Sequence, residues 1–239
     1  MSPGGLYTHL ARVHDLVFPF SAACVNAITA MVPEHAPKRL IDAGAATGAL
    51  VRAFSILGWE ALGIELDPEM VARAGPLVIQ GSMLDIRTIA DRMFPAGSRF
   101  GAITCLGNTL PHIDPGSRLQ FFKDARELLQ EGAPLVIQML NYAHPAVHPG
   151  YRFPEIRVGG VVFRRAYETG PSPGTLVFRT ELQIDCEQYR DSTILYPLAP
   201  AALESLLHQA GFITVSYCKG WDKAPFDVHH DLYLIAAAR

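Results

Sequence analysis

Residues 40–50 read LIDAGAATGAL. Two apolar residues and an acid, Leu40-Ile41-Asp42, lead into a run of small residues, and an apolar stretch restarts at Ala49. That order predicts a buried strand, a tight turn at its end and a helix opening directly after it. The same alternation extends through the first two-thirds of the chain. Apolar runs that read as strands occupy 39–43, 61–65, 77–80, 100–106 and 135–140, with helical stretches between them at 49–57, 68–74 and 117–129. Pro68 suits a first helical turn, with Asp67 as its N-cap. Continuous apolar strands alternating with helices imply a parallel sheet covered on both faces.

The pattern changes after Asn141. Residues 142–157 are rich in Pro, His and Arg and read as a loop. In 176–184, Leu176, Phe178, Leu182 and Ile184 alternate with Arg179, Glu181 and Gln183, which predicts strands with one wet face. The stretch ETGPSPGT (168–175) is a turn, 199–210 returns to helix and stops at Gly211, and 212–217 and 232–237 are two last strands.

The chain has 239 residues, 49% hydrophobic and 18% charged, which fits one domain with one core. A net charge of −3 with no evident basic face argues against a long nucleic-acid partner. The four cysteines, Cys24, Cys105, Cys186 and Cys218, form no CxxC pair. They read as free thiols in a reducing compartment, so a cytoplasmic location is expected. The start, MSPGGLYTHLARVHD, has no basic region followed by an apolar stretch. Residues 16–33 are uncharged, but Pro19, Ser21, Asn26 and Thr29 interrupt them, so a helix on the core or a lid is expected rather than a membrane span.

Ligands of open α/β sheets bind at the carboxyl ends of the strands, where the 40–50 turn lies. A triphosphate loop of the form GxxxxGK[ST] is excluded because the turn has no lysine. A dinucleotide loop of the form GxGxxG matches poorly, since Ala46 and Ala49 stand at its second and third glycines. Asp42 would also repel a diphosphate, whereas an acid there suits a cationic ligand.

Asp42-x-Gly44-x-Ala46-x-Gly48 resembles the glycine-rich motif of class I S-adenosylmethionine-dependent methyltransferases. The resemblance implies S-adenosylmethionine as cofactor and S-adenosylhomocysteine as product, with Asp42, Gly44, Ala45, Ala46 and Gly48 against the methionine end. Alanine at the third motif position is a sterically minor departure. Glu65, at the end of the second strand and followed by Leu66, can accept both hydroxyls of a ribose. VIQGSMLDI (78–86) resembles the adenine segment, with Ser82, Met83 or Asp85 as the contact. CLGNTLPHI (105–113) resembles the fourth-strand end, where backbone carbonyls at Leu106 and Gly107 meet the cofactor ammonium. This last segment, together with QMLNY (138–142), YPLAPAALESLLHQAGF (196–212) and YTHLARVHDLVF (7–18), resembles the glycine and sarcosine N-methyltransferase group and its bacterial relatives. His14 stands where a tyrosine is more usual.

The resemblance covers nearly the whole chain. It implies an α/β fold built on a doubly wound, seven-stranded, mostly parallel Rossmann-like sheet, with an antiparallel β insertion after the fifth strand. Residues 1–239 form one domain, 1–35 a helical lid, and 142–197 a β-rich insertion over the substrate site. Gly107, Asn108 and His112 are expected beside the transferred methyl, with Asn141 and Tyr142 lining the crevice and Tyr7 and His14 reaching it from the lid. Asn108 is expected to accept an amine N–H, and His112 to accept a proton or fix the loop.

The expected acceptor is a small-molecule amine or amino-acid nitrogen. Alternatives are O-methylation of a phenol or carboxylate, with His112 or His14 as base, a non-catalytic cofactor-binding protein, and a dehydrogenase, which Ala46 and Ala49 weaken. An amino-acid carboxylate would call for an arginine, and Arg152, Arg157, Arg164, Arg165, Arg179 and Arg190 all qualify. Arg164 and Arg165 are adjacent, so in a strand only one faces a given side. The resemblance to glycine N-methyltransferases implies an arginine in the N-terminal lid, and its absence between Arg12 and Arg39 weakens glycine itself as substrate. His144 and His148 are separated by Pro145, so no metal site is expected. Asn108-Thr109-Leu110-Pro111 lacks the (N/D)PP(Y/F) form of adenine methyltransferases. The expected partners are thus a small-molecule acceptor, no nucleic acid and no membrane, with a homodimer possible.

Overall fold

The computed structural model of the protein describes residues 6–239, with side chains from Thr8 onward. The strands are β1 (Arg39–Ala43), β2 (Glu60–Glu65), β3 (Val78–Gln80), β4 (Ala102–Cys105) and β5 (Leu135–Leu140), then β6 (Ile156–Val158), β7 (Val161–Thr169), β8 (Leu176–Ile184) and β9 (Glu187–Leu195), and finally β10 (Val215–Cys218) and β11 (Tyr233–Ala238). The helices are α1 (Leu6–Val17), α2 (Ala22–Thr29), α3 (Ala49–Ile56), α4 (Pro68–Ala74), α5 (Ile86–Met93), α6 (Pro115–Leu128) and α7 (Pro200–Gln209).

The main sheet has seven strands in the order β10-β11-β5-β4-β1-β2-β3. Strands β1 to β5 pair in parallel, and β11 runs antiparallel to both its neighbours. The order reverses between β1 and β4, so the binding crevice of a doubly wound sheet lies above their carboxyl ends. One face packs α2 and α3 around Ile28, Leu40, Val51 and Phe54. The other packs α5, α6 and α7 around Ile41, Ile103, Phe121, Phe122 and Leu207. Helix α5 goes beyond the expected elements: only Ile86, Ile89 and Ala90 are buried on it, a stripe too short to stand out from its charged neighbours. Residues 16–33 finish α1 and form α2, whose Cys24, Val25 and Ile28 enter the core. No helix among the described residues is long and apolar enough to cross a membrane.

Strands β6 to β9 form a second, antiparallel sheet inside the expected insertion. Alternation along β7 and β8 turns Val161, Phe163, Tyr167 and Leu182 inward and Arg164 and Glu181 outward. At one end Val161, Phe163 and Leu182 pack on Leu10, Ala11 and Val17 of α1 and on Met70 of α4. At the other end Tyr167, Leu176 and Leu195 pack on Leu140 of β5. The sheet therefore bridges the carboxyl edge of the main sheet, from the β1 turn to the end of β5.

Candidate active site

The turn after β1 is shaped by two constraints at Gly44. Its φ is +86°, and an added Cβ would lie 2.5 Å from Thr109 Cγ2. Ala46 sits at φ +46°, a left-handed conformation that costs an L residue roughly 1–2 kcal/mol. Alanine at this motif position is therefore more than the steric trifle the sequence suggests. The Gly44 and Ala45 amides donate to the Ile64 carbonyl at 2.8 and 3.0 Å. The Glu65 carboxylate then accepts three backbone N–H groups, from Ala46 (2.8 Å), Leu66 (2.8 Å) and Asp67 (2.9 Å). A carboxylate has about four lone-pair positions, so one stays open for a ligand hydroxyl. Accepting both hydroxyls of a ribose, as the sequence reading expects, requires the Ala46 amide to yield.

Asp42 is 4% exposed and accepts Thr104 Oγ1 at 2.6 Å. Its other oxygen has no hydrogen-bond partner among the described residues. Burial pushes its pKa up to about 6, Thr104 opposes the rise, and the charge of Glu65 adds to it. A cation beside the free oxygen would favour the ionised form. Along the same rim the Gly81 amide donates to the Glu65 carbonyl at 2.9 Å, which brings Ser82 and Met83 to the end of β2. Ser82 Oγ accepts the Leu84 amide at 3.2 Å, and half-buried Met83 packs on the core. Leu66 is exposed beside them. The Leu106 carbonyl already accepts both Thr109 Oγ1 (2.7 Å) and the Thr109 amide (3.3 Å), so its lone pairs are not free for a ligand ammonium.

At the end of β4 the chain takes two successive left-handed residues, Gly107 (φ +67°) and Asn108 (φ +63°). Asparagine is among the few side chains that accept this conformation readily. The turn is fixed by Asn108 N donating to the Gln138 carbonyl at 3.0 Å and Gly107 N donating to Gln138 Oε1 at 3.3 Å. Nothing lies within 4 Å of where a Gly107 Cβ would stand, so the crevice is open there. Asn108 Oδ1 accepts the Leu140 amide at 3.0 Å and the Tyr142 hydroxyl at 3.3 Å. Its Nδ2 donates to the Tyr142 hydroxyl at 3.0 Å and lies 3.5 Å from that of Tyr167. The two hydroxyls are 3.1 Å apart. Burial raises the pKa of both tyrosines, that of Tyr167 far above the usual phenol range, so the cluster is uncharged.

Two expected site residues, Asn141 and His14, are placed differently. Asn141 is fully buried; its Nδ2 donates to the carbonyls of Val228 (2.8 Å) and Asp231 (2.9 Å), and its Oδ1 accepts the Ala143 amide at 3.1 Å. It anchors the loop before β11 and does not line the crevice. His14 Nδ1 lies 3.3 Å from Thr47 Oγ1, beside the glycine turn rather than beside Asn108. His112 ends a short 3-10 turn, is exposed on one side, and its ring has no hydrogen-bond partner among the described residues. The protein around its other side lowers its pKa, which keeps the imidazole neutral near pH 7. The side chain of Tyr7 lies outside the described residues.

Sequence reasoning missed Tyr167, Thr104, Thr109 and Gln138. A signal for Tyr167 existed: it shares the parity of Val161 and Phe163 in 161–167. A concavity of about 700 Å³ on the outer face of the second sheet is no rival site. Of the five arginines that line it, Arg164, Arg179 and Arg190 are paired with Glu155, Glu168 and Glu181, Arg152 is exposed, and the Arg165 side chain turns to the other face.

Solved structures share this fold. The CcbJ methyltransferase from Streptomyces caelestis superposes with a TM-score of 0.77 at 19% identity, covering 100% of this chain and 99% of that one. SAM-bound CalS10, an amino pentose methyltransferase from Micromonospora echinaspora, gives 0.68 at 20% identity with 100% coverage of both. The sugar N-methyltransferase KedS8 from Streptoalloteichus sp ATCC 53650 gives 0.66 at 18% identity, covering 100% of this chain and 95% of that one. At these identities the likeness is one of fold. Among curated proteins no relative matches by sequence. The methyltransferase domain family model does match, over residues 20–217, a span that runs from the start of α2 to β10 and takes in the glycine turn, Glu65, Asn108 and the second sheet; the chain belongs to that family.

Proposed function

We propose that the protein transfers a methyl group from S-adenosylmethionine to the nitrogen of a small-molecule amine. The observation that carries this reading is the uncharged Asn108–Tyr142–Tyr167 cluster at the end of β4, next to a turn that pairs a buried acid, Asp42, with the hydroxyl acceptor Glu65. S-adenosylmethionine supplies a methyl on a cationic sulfonium that departs as a neutral thioether.

This chain's groups suit that chemistry. A neutral amine needs alignment and a dry lone pair more than a strong base. Asn108 already uses its amide on Tyr142, Tyr167 and Leu140, so it positions the tyrosines rather than the amine. The two phenol oxygens are then the acceptors that orient an N–H. Amine acceptors are named for CalS10 and KedS8, which supports nitrogen over oxygen here. Neutral His112 favours one second reading, O-methylation of a phenol with the imidazole taking the proton.

The test is binding followed by turnover. S-adenosylhomocysteine at about a hundred times its Kd should stabilise the fold by ~2.7 kcal/mol, a Tm rise of about 5–10 °C, and NAD(H) should give none. Labelled methyl should then pass to amines in a panel that also contains phenols. Asn108→Ala should lower kcat about 10–100-fold with the cofactor Kd little changed, the signature of lost orientation. Methylation of phenols alone, abolished in His112→Ala, would favour the second reading. A stabilisation by NAD(H) alone would overturn both.

A further inference from the structure

Six arginines lie in the insertion, and the structure sets one apart. Arg157 and Arg164 pair with Glu155, Arg164 and Arg190 with Glu181, and Arg179 with Glu168. Exposed Arg152 stands across from Ala166 and shares the outer face. Arg165 alone turns inward, between Phe163 and Tyr167 on β7. It has no carboxylate partner among the described residues. Its Nη2 donates to the Pro154 carbonyl at 3.3 Å, and its Nε is buried with no partner.

The guanidinium is walled by rings. Its centre lies 4.8 Å from the ring of Phe153, 5.5 Å from Phe163 and 5.6 Å from Phe18. Tyr151, Tyr167 and Tyr233 are close enough to act on its charge, and burial lowers its pKa. Cation–π contact offsets part of the desolvation, yet an aliphatic side chain would fill this aromatic slot without leaving a buried donor unpaired.

Its position gives that unpaired cation a use. One end of β7 packs with Ala46 of the glycine turn, and the other with Leu140 and Tyr142. Arg165 hangs between them, over the crevice. Tyr167, whose hydroxyl meets Tyr142 and Asn108, is two residues further along the strand, about 7 Å away. Phe18 and Phe163 flank it from the α1 end, and Tyr233, which pairs with Leu140 of β5, acts on its charge from the other, so the arginine stands midway along the crevice, between the glycine turn and the end of β5.

We infer that Arg165 binds an oxyanion of the acceptor, so that the protein takes small amines that also carry a carboxylate or a phosphate. This rests on the methyl-transfer reading above. Arginine's planar fork is made for both oxyanions, and the flanking rings would hold an apolar linker between anion and amine.

The test is calorimetric titration of phenylacetate, phenyl phosphate and neutral 2-phenylethanol into protein saturated with S-adenosylhomocysteine. The expected result is at least a tenfold preference for one or both anions over the alcohol. Arg165→Gln should abolish that preference without changing the affinity for the alcohol or for S-adenosylhomocysteine, and Arg164→Gln on the opposite face should change nothing. Should Arg165→Gln fail to fold, Arg165→Lys, which keeps the charge and loses the fork, carries the same comparison with a reduced preference expected. Equal binding of anions and alcohol to the unmodified protein overturns the inference, as does an anion preference that survives Arg165→Gln. A variant that loses S-adenosylhomocysteine but keeps 5′-methylthioadenosine, which lacks the methionine carboxylate, would assign Arg165 to the cofactor and overturn the acceptor role. Unmodified protein that binds neither nucleoside overturns the methyl-transfer reading instead, and the anion preference is then read on the free protein.

Discussion

Burial raises the Asp42 pKa from 3.8 to about 6, so near neutrality the folded chain holds a carboxylate at a cost. Between those two values the folded state binds a proton that the unfolded state has released, and stability therefore falls as pH rises from about 4 to about 6, by on the order of 3 kcal/mol. A cationic ligand reverses the sign, because it binds the ionised form. The affinity for S-adenosylhomocysteine should rise up to about tenfold per pH unit below 6 and level off above it. Asp42→Asn should flatten that profile and raise the Tm of the unliganded protein at pH 7, with Glu65 left as the nearest acid to the turn. Calorimetry from pH 5 to 8 reads both effects, and a flat profile in the unmodified protein would mean that Asp42 does not face the ligand's charge. Asp42 was legible in the sequence because the whole turn is local: strand, acid and glycines are neighbours. Asn141 was misread for a reason equally local. It adjoins Tyr142 at a strand end, but a turn begins there, with the His144 amide donating to the Asn141 carbonyl at 3.0 Å, so the two side chains part and only Tyr142 turns to the crevice.

Helix α1 shows what an element contributes that its sequence does not reveal. Leu10, Ala11 and Val17 bury its apolar face between α4 and the second sheet, and His9 stacks on Tyr189 of β9 with ring centroids 3.5 Å apart. Its last turn reaches the glycine turn, where the Thr47 hydroxyl donates to Asp15 and Arg52 lies 3.4 Å from the same carboxylate. Burial opposes ionisation of Asp15, but Thr47, His14 and Arg52 together hold its pKa below the ordinary value. The helix thus fastens the turn to the insertion. Asp15→Ala should cost about 1 kcal/mol of this fastening and weaken S-adenosylhomocysteine binding about fivefold, with little effect on kcat at saturation. An unchanged Kd with a lowered Tm would make α1 a scaffold rather than a lid. The long apolar-periodic helices and continuous strands could be read from pattern alone, because their partners flank them in sequence. The role of α1 could not, since its partners come from residues 47, 70, 163 and 189.

The two sheets meet water differently. The main sheet is covered by helices on both faces, whereas the second sheet packs only its inner face and leaves Arg164, Glu181 and Arg190 to solvent. Surface ion pairs of this kind add little stability, typically 0–1 kcal/mol each. The second sheet's apolar packing gathers at its two ends, on α1 with α4 and on β5, where the Tyr196 amide after β9 also donates to the Pro111 carbonyl at 2.9 Å, with the crevice between them. A structure built this way should open in parts. Long-range pairing is also why Tyr167 escaped the sequence reading and why Arg165 did not stand out among the six candidate arginines: which face of β7 meets the crevice is settled by two packing contacts far apart in the chain. Native-state hydrogen exchange should find the amides of β7 and β8 opening through a sub-global unfolding of lower free energy than those of β1, β4 and β5. S-adenosylhomocysteine, which would bind mainly to the turn and α1, should slow exchange at the Phe163 end of β7 first. An added aromatic oxyanion should extend that protection to Arg165 and Tyr167, since only a ligand spanning the crevice ties the middle of the strand to the main sheet. Uniform exchange across both sheets would show instead that the insertion and the main sheet unfold as one unit. The crevice would then be a rigid slot, and ligand entry would depend on α1 alone.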